Sequence, residues 1–392
     1  MNFDLKKHTI FLTLAGSRAY GFASPDSDWD YRGVAIPPLD TYIGIKDRFE
    51  QSTDQKTRHL WKNYPGVVEP EADMQVYELT KFVRLATQCN PSIIEILFTD
   101  PSTHLIKHPV MDRLLDNNRM FLSKQAKDRF CGYAFSQLKR IQRHKKWLDN
   151  PPTKCPERKD FGLPEKKIIP LDQIGAADAL IQRDLDTFMV EQTDLPEHTK
   201  IAFKNELHKI LRATWLAING SVPYPVDEFD DDAQWNSTEE ALRDMVSRYE
   251  GFSENFLEIL GKEKKYRRAK QEWDQYQHWV KNRNPDRAKL ERKFQYDCKH
   301  ATHLYRLIKM AREILETGEV KVLRPDAEEL KAIRNGALTY EQVVEFAEKE
   351  DAALVEVARK SNLPKHPDVN KIHQITYEMI LEFNGYFEKH TI

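Results

Sequence analysis

The first clear hydrophobic signal along the chain is Thr9-Ile10-Phe11-Leu12-Thr13-Leu14, a β-branched and aromatic run that halts at Gly16-Ser17. A short apolar run of this make-up, closed by a turn signal, predicts a buried strand. Asp28 to Ile36 predicts a second strand, closed by Pro37-Pro38, and the alternating Met74-Gln75-Val76-Tyr77 a third. From Gly44 to Glu71 the pattern is weak and charged, with a turn at Pro65-Gly66. Leu79, Phe82, Val83 and Ala86 then recur at helical spacing, and Asn90-Pro91 stops that helix. Strands interleaved with helices predict an α+β domain.

From Val110 to Leu148 the pattern becomes helical, with Tyr133, Leu138 and Ile141 available for apolar contacts. Asn150 to Pro170 carries five prolines and predicts an extended linker or long ordered loop. Ala176 to Ala217 reads as helical, Asn219 to Asp232 as an acidic turn-rich stretch, and Ala241 to Lys281 as a charged helix. Asp286 to Thr317 predicts one long helix ending at Gly318, followed by helices at Glu341 to Lys360 and Ile372 to Lys389. These shifts divide the chain into four stretches: 1–110, 111–174, 175–283 and 284–392.

At 392 residues the chain is too long for one small core. Hydrophobic residues at 40% and charged residues at 31% fit a well-solvated globular protein. The 60 Lys and Arg nearly balance 62 Asp and Glu, so a nucleic-acid partner would have to be met by local patches. The four cysteines, Cys89, Cys131, Cys155 and Cys298, show no C-x-x-C pair, which indicates neither a zinc site nor a disulfide framework. Met1 to His8 is polar and lacks the apolar region of a secretory signal. No run approaches the ~18 apolar residues of a membrane helix. The expectation is a cytoplasmic protein with no membrane partner.

The chemistry concentrates in Gly16-Ser17-Arg18-Ala19-Tyr20-Gly21 and Ser27-Asp28-Trp29-Asp30. A strand delivers the chain to a Gly-Ser turn, where a short helix is expected to start. Its free N–H groups suit phosphate, glycine allows close approach, and Ser17 and Arg18 add a hydroxyl and a charge. Asp28 and Asp30, two residues apart on a strand, would share one face. Such a pair repels unless a cation lies between, and Mg²⁺ favours a few carboxylates plus phosphate oxygens. A third carboxylate is then expected on a neighbouring strand. Asp73 is well placed, with Glu71 and Glu78 as competitors. A lone D-x-D is ordinarily a solvated turn, so the specificity lies in the combination.

That combination resembles the nucleotidyltransferase superfamily that includes polymerase beta and the antibiotic and toxin-antitoxin nucleotidyltransferases. A closer resemblance, to the RNA-repair-associated polymerase-beta-like family of bacteria and large phages, rests on further motifs. These are Tyr77-Glu78-Leu79-x-Lys81-Phe82, Asn90-Pro91-Ser92-Ile93-Ile94-Glu95, Tyr296-Asp297-x-Lys299-His300-Ala301-x-His303-Leu304-x-Arg306-Leu307, Thr317-Gly318 and Ile333-Arg334-Asn335-Gly336. It covers about 1–154 and 284–349, leaving 175–283 as a variable helical insertion. The resemblance implies a nucleotidyltransferase-fold mixed β-sheet with helices in residues 1–110, a mainly α-helical region after it, and a C-terminal part completing the cleft. It also implies an enzyme that moves NMP from an NTP, ATP first among them, to a hydroxyl acceptor. Asp28, Asp30 and Asp73 would be the catalytic and metal-binding residues, holding two Mg²⁺ ions, with Mn²⁺ as a substitute. Gly16, Ser17, Arg18, Lys299, His303 and Arg306 would bind the nucleotide.

The acceptor divides the readings. An RNA end fits repair or tRNA modification, whereas a partner protein or small molecule fits AMP transfer. A rival of another class is a non-catalytic RNA-binding or antitoxin-like module, which loss of a carboxylate would favour. The basic clusters around Lys139-Arg140 to Lys146 and Lys264 to Lys270, each with an aromatic beside it, suit single-stranded nucleic acid. Such clusters are also ordinary solvated helix faces. His300 and His303 as a metal pair have only Asp297 spaced to join them, and Glu95 could be a buried partner for an arginine.

Overall fold

The structure is a computed structural model; it describes residues 3–25, 27–43, 48–53, 58–61, 64–67, 73–166, 169, 173–177, 179–180 and 253–386. Most of the expected helix from Ala176, the whole stretch Asn219 to Asp232, the start of the helix from Ala241 and the candidate Glu71 lie outside these residues. The chain divides into one unit of Met1–Pro151 with Arg283–Ile392 and a second of Pro152–Asn282.

The first unit is built on a five-stranded mixed sheet of order β3-β4-β2-β1-β5. Its strands are β1 (Thr9–Ala15), β2 (Asp30–Ala35), β3 (Gln51–Thr53), β4 (Asp73–Glu78) and β5 (His104–Lys107). Only β2 and β4 run parallel; β1 pairs antiparallel with β2 and β5, and β3 with β4. Strand alternation separates two cores. Phe11, Val34, Ile36 and Tyr77 face a core shared with the helices, while Leu12, Tyr31, Ala35, Met74 and Val76 pack with Leu5 and Trp61 on the other side.

The helices used below are α1 (Gly16–Ala19), α2 (Leu79–Thr87), α3 (Pro91–Leu97), α4 (Ala126–Asp149), α5 (Glu254–Asn282), α6 (Pro285–Phe294), α7 (Cys298–Thr317), α8 (Ala327–Arg334), α9 (Tyr340–Lys360) and α10 (Val369–Phe383). In α2 the four residues at helical spacing, Leu79, Phe82, Val83 and Ala86, are the buried ones. The Glu78 carboxylate caps that helix, accepting from Thr80 N at 2.7 Å and Lys81 N at 2.9 Å. Asn90 caps α3, whose first turn begins with Pro91. The long α7 lies mainly against α4, with α8 and α9 also packed on it. Gly318 ends α7 in the left-handed region at φ 66°, as its sequence position suggests.

The expected single helix from Asp286 to Thr317 is two. It breaks where Gln295 takes φ 64° and Asp297 caps the new helix through His300 N. The cost of left-handed backbone at a residue with a Cβ is offset by that cap and by the full burial of Tyr296, whose hydroxyl donates to Leu338 O at 2.7 Å. Two edge strands, β3 and β5, were not expected from their weak patterns. In the second unit Arg158 pairs with Glu263 at 2.5 and 3.0 Å, Phe161 packs edge-on against Tyr266 and Leu163 is buried. The Arg158-to-Pro164 turn is thus explained by packing within that unit.

Candidate active site

The site begins where β1 ends. Ala15 pairs with Asp30 at the start of β2, and the chain turns into the single helical turn α1. Gly16 takes φ +65°, and a Cβ there would come within 2.9 Å of Asp30 Cγ. Glycine is therefore required twice, for its backbone and for the space its neighbour's carboxylate occupies.

Across the parallel pair Asp30 is directly in register with Asp73, the first residue of β4. The two side chains leave the same face of the sheet, at the end nearest α1. Asp73 N donates to Trp29 O at 2.8 Å, which fixes this register one residue earlier. Glu78 sits at the opposite end of β4, with its carboxylate occupied by the α2 cap and by Tyr42 OH at 2.7 Å. Among the described candidates, Asp73 is therefore the carboxylate beside Asp30.

Asp28 lies just before β2, not on it, so strand alternation does not place it. A clamped loop does. The Arg18 guanidinium donates to Ser27 O at 2.7 Å and Pro25 O at 3.3 Å, and stacks 3.8 Å from the Trp29 ring. Arg18 is thus committed to shaping the loop that presents Asp28, and it does not line the cleft expected to hold phosphate.

Gly16, Ser17, Asp28, Asp30 and Asp73 line a cleft of about 430 Å³, together with Tyr20, Arg32, Glu95, Lys299, His303 and Arg334. Burial pushes the Asp30 carboxyl up from its ordinary range; Arg32 opposes this, while Asp73 and Asp28 add to it. Arg32 Nη2 lies 2.8 Å from Asp73 Oδ2 and 3.9 Å from Asp30 Oδ1. Three clustered carboxylates, one of them held above its normal range by burial and by the other two, are a donor set that fits a hard divalent cation.

The facing wall comes from α7 and α8. Lys299, His303 and Arg306 follow one stripe of α7. Arg306 is only 4% exposed; it pairs with Glu95 and lies 3.9 Å over the Tyr20 ring, while Tyr20 OH donates to Glu95 Oε2 at 2.5 Å. The charge of Arg306 is thereby spent on Glu95, which pins α7 to α1 and α3. Burial lowers Lys299, helped by Arg287 and Arg334 and opposed by Asp28 and Asp30. Burial likewise lowers Arg334, opposed by Asp28. Neither side chain makes a hydrogen bond or ion pair among the described residues. The neighbouring glycine Gly336, at φ +85°, lets the end of α8 close on Phe294, whose ring a Cβ there would strike at 2.4 Å. Burial holds His303 well below its ordinary value, reinforced by Arg306 and His300.

A second cluster lies at the start of α7. His144, Asp297 and His300 offer atoms within 4.8 Å of one another. His144 Nδ1 and His300 Nε2 face Asp297 Oδ2 at 3.4 and 3.5 Å, and His300 Nδ1 is 2.7 Å from Gln137 Oε1. Arg287 also bonds Asp297, at that same Oδ2. Its guanidinium already supplies positive charge where a metal would; against the opposing effect of burial, the His144 hydrogen bond and the charges of His300 and Arg287 hold Asp297 ionised far below the usual carboxylate range. His303 is not part of this group.

The structure thus brings Gly16, Ser17, Asp28, Asp30, Asp73, Lys299 and His303 to one cleft and leaves Arg18 and Arg306 as supports around it. Sequence reasoning gave no role to Tyr20, Arg32 or Arg334. Arg32 carried a signal, because it stands two residues after Asp30 on the same strand and so shares its face.

Among proteins of known sequence, the chain is 27% identical over 134 residues to an uncharacterized 38.9 kDa protein of the nrdC-mobD intergenic region of enterobacteria phage T4, covering 33% of this chain and 37% of that protein. It is 31% identical over 91 residues to the uncharacterized protein YcgL of Bacillus subtilis (strain 168), covering 23% of this chain and 30% of that one. The chain thus spans about a third of the length of these relatives. No solved structure matches it. The model of the RNA repair pathway DNA polymerase beta family matches residues 4–153, the segment holding the whole sheet and all three carboxylates, and so identifies the N-terminal part of this chain as a polymerase-beta-like domain of the nucleotidyltransferase type, followed by a helical region.

Proposed function

We propose that this chain is a divalent-metal-dependent nucleotidyltransferase that moves NMP from an NTP to the hydroxyl of an RNA end. The observation that carries the reading is the pairing of opposites across one cleft. Asp28, Asp30 and Asp73 stand on one wall, and Lys299 and Arg334, cations without a described carboxylate partner, stand on the other.

In the reaction the acceptor hydroxyl oxygen bonds to the α-phosphorus while the bond from that phosphorus to the α–β bridging oxygen breaks. Pyrophosphate leaves with that electron pair, and the hydroxyl proton passes to a carboxylate. Asp73 suits that last task, because its side chain is 54% exposed and can release the proton to water. Asp28, Asp30 and Asp73 would hold Mg²⁺, with Mn²⁺ as a substitute; when bound, the metal supplies Lewis-acid charge for the attacking hydroxyl and for the departing pyrophosphate. Lys299 and Arg334 neutralise the triphosphate, and ATP is the first donor to try. Gly16 makes room for the Asp30 carboxylate at the cleft, beside the Ser17 hydroxyl. His303, kept neutral by burial, offers a hydrogen bond without adding charge.

The test uses the purified chain with Mg²⁺, each radiolabelled NTP and a pool of small RNAs, with Asp28→Ala/Asp30→Ala as control. Label on RNA that the control loses supports the reading. Label on protein alone replaces RNA with a protein acceptor, and label that persists in the control refutes the carboxylate assignment.

A further inference from the structure

A second chamber, also of about 430 Å³, adjoins the carboxylate cleft and shares Tyr20, Ser92, Glu95, Lys299 and His303 with it. Beyond this shared wall it is lined from α4 by Tyr133, Gln137 and Arg140 and from the α6–α7 region by Arg287 and His300. Tyr133, Gln137 and Arg140 follow one another at helical spacing, so one face of α4 forms this wall.

The charge of the chamber is one-sided. Its only carboxylate among the described residues, Glu95, is neutralised by Arg306. Arg287 is matched by Asp297 and Glu291. Arg140 and Lys299 have no hydrogen-bond or ion-pair partner among the described residues, and Arg140 helps to lower the pKa of His300. Tyr133 is 42% exposed, and its hydroxyl accepts from Asn90 Nδ2 at 2.8 Å. An aromatic face held in place beside an uncompensated guanidinium matches a nucleotide, with the base on the ring and the phosphate on the cation.

We infer that this chamber receives the terminal nucleotide of a single-stranded RNA acceptor, with its last phosphodiester on Arg140 and its base against Tyr133. The inference rests on the nucleotidyltransferase reading and adds the place and chemistry of the acceptor. The donor's phosphates account for the first cleft, where the carboxylates are. A donor base carries no negative charge and would leave Arg140 unused, whereas a phosphodiester uses it. The shared Lys299 wall is where an acceptor in one chamber meets a phosphate in the other. Lys139, exposed next to Arg140, continues the track along α4 toward the rest of the strand.

The experiment measures fluorescence anisotropy of a labelled single-stranded RNA of about ten nucleotides with a free 3′ hydroxyl, on the full chain, across a salt series. A fluorescent ATP analogue with Mg²⁺ is titrated in parallel. Arg140→Ala and Tyr133→Leu are both at exposed positions, and their melting temperatures are checked against the parent. The expected result is a loss of RNA affinity of about tenfold in each variant. Arg140→Ala should also reduce the salt slope by about one unit, with ATP-analogue affinity within twofold of the parent. RNA binding unchanged in Arg140→Ala, or absent from the parent chain, overturns the inference. So does a loss confined to the ATP analogue, which would make the chamber the donor's. The nucleotidyltransferase reading fails separately, if Asp28→Ala/Asp30→Ala retains label transfer.

Discussion

Glu95 and Arg306 are far apart in sequence, and their pairing is what joins the carboxylate half of the cleft to the cationic half. Glu95→Ala tests it. The substitution leaves the Arg306 guanidinium, 4% exposed, without its counterion, and removes the acceptor of the 2.5 Å bond from Tyr20. Breaking one side of a buried pair costs about 3–5 kcal/mol, and an orphaned buried hydroxyl about 1–3 kcal/mol. The stacking of Arg306 on Tyr20 survives and so cancels from the difference. A loss of about 4–8 kcal/mol follows, on the order of 10 °C or more in the thermal transition of the first unit.

The decisive comparison is with Glu95→Leu/Arg306→Met, which removes both charges and keeps the volume filled. Buried pairs replaced by packed apolar groups are often neutral in stability, so the double variant should recover most of the loss. Denaturant unfolding of the parent, Glu95→Ala, Arg306→Met and the double would then give strongly non-additive energies, with a coupling of about 2 kcal/mol or more. Additive effects, or a Glu95→Ala loss below about 1 kcal/mol, would refute the view that this pair anchors α7. The recovered double variant should still bind NTP, because Lys299 and Arg334 remain.

Asp30→Asn should abolish label transfer yet raise the melting temperature at neutral pH. A carboxyl raised by folding binds more protons in the native state, so its stability contribution falls as pH rises; the advantage of Asn should shrink on acidification, and a constant difference would contradict the burial argument. Burial holds His300 down at about 4, so the unfolded chain binds the extra proton between about pH 6.5 and 4, and stability should fall through that window. His300→Gln should flatten this part of a melting-temperature profile, and an unchanged slope would assign it elsewhere. Gly16→Ala should cost about 1–2 kcal/mol for its left-handed backbone and lose most activity through displacement of Asp30; circular dichroism melts and the transfer assay measure the two effects separately. Lys299→Met should raise the apparent KM for NTP at least tenfold with little change in melting temperature, and an unchanged KM would remove Lys299 from the phosphate wall.

What could be read from the sequence was local. The Thr9-to-Leu14 run, the turn at Gly16 and the alternation at Met74 to Tyr77 gave the central strands, because their periodicity reflects burial on a sheet. Asp73 was placed the same way, by its position at the head of a strand, and it stands in register with Asp30. The failures share a different cause. Arg18 looked like a phosphate ligand because it stands beside Gly16-Ser17, yet the Trp29 ring and two loop carbonyls compete for it successfully. The helix from Asp286 was read through its break because the cap at Asp297 and the turn at Gln295 carry no proline or glycine. The edge strands β3 and β5 have only three and four residues, so no hydrophobic period marks them. Arg334 was quoted within a motif without a role, since only the folded chain brings α8 to the carboxylates.

That division of information follows the two halves of the cleft. The family model ends at residue 153, after the carboxylates and their neighbour Arg32 and before Lys299 and Arg334. The acidic wall requires a fixed register, Asp30 against Asp73, which a short run of sheet sets almost alone. The cationic wall requires α7 to lie at one rotation and height over that sheet, and no local sequence rule determines either. The buried Arg306–Glu95–Tyr20 group supplies both constraints, because a guanidinium bonded to a carboxylate and stacked on a ring has little freedom to slide or turn. Lys299 and His303 are on the same stripe of the helix, so fixing Arg306 fixes them over the cleft. On the proposed function, a rigid hub of this kind would leave the rest of the helical wall, including Tyr133 and Arg140 on α4, free to fit an acceptor while Lys299 and His303 stay over the cleft.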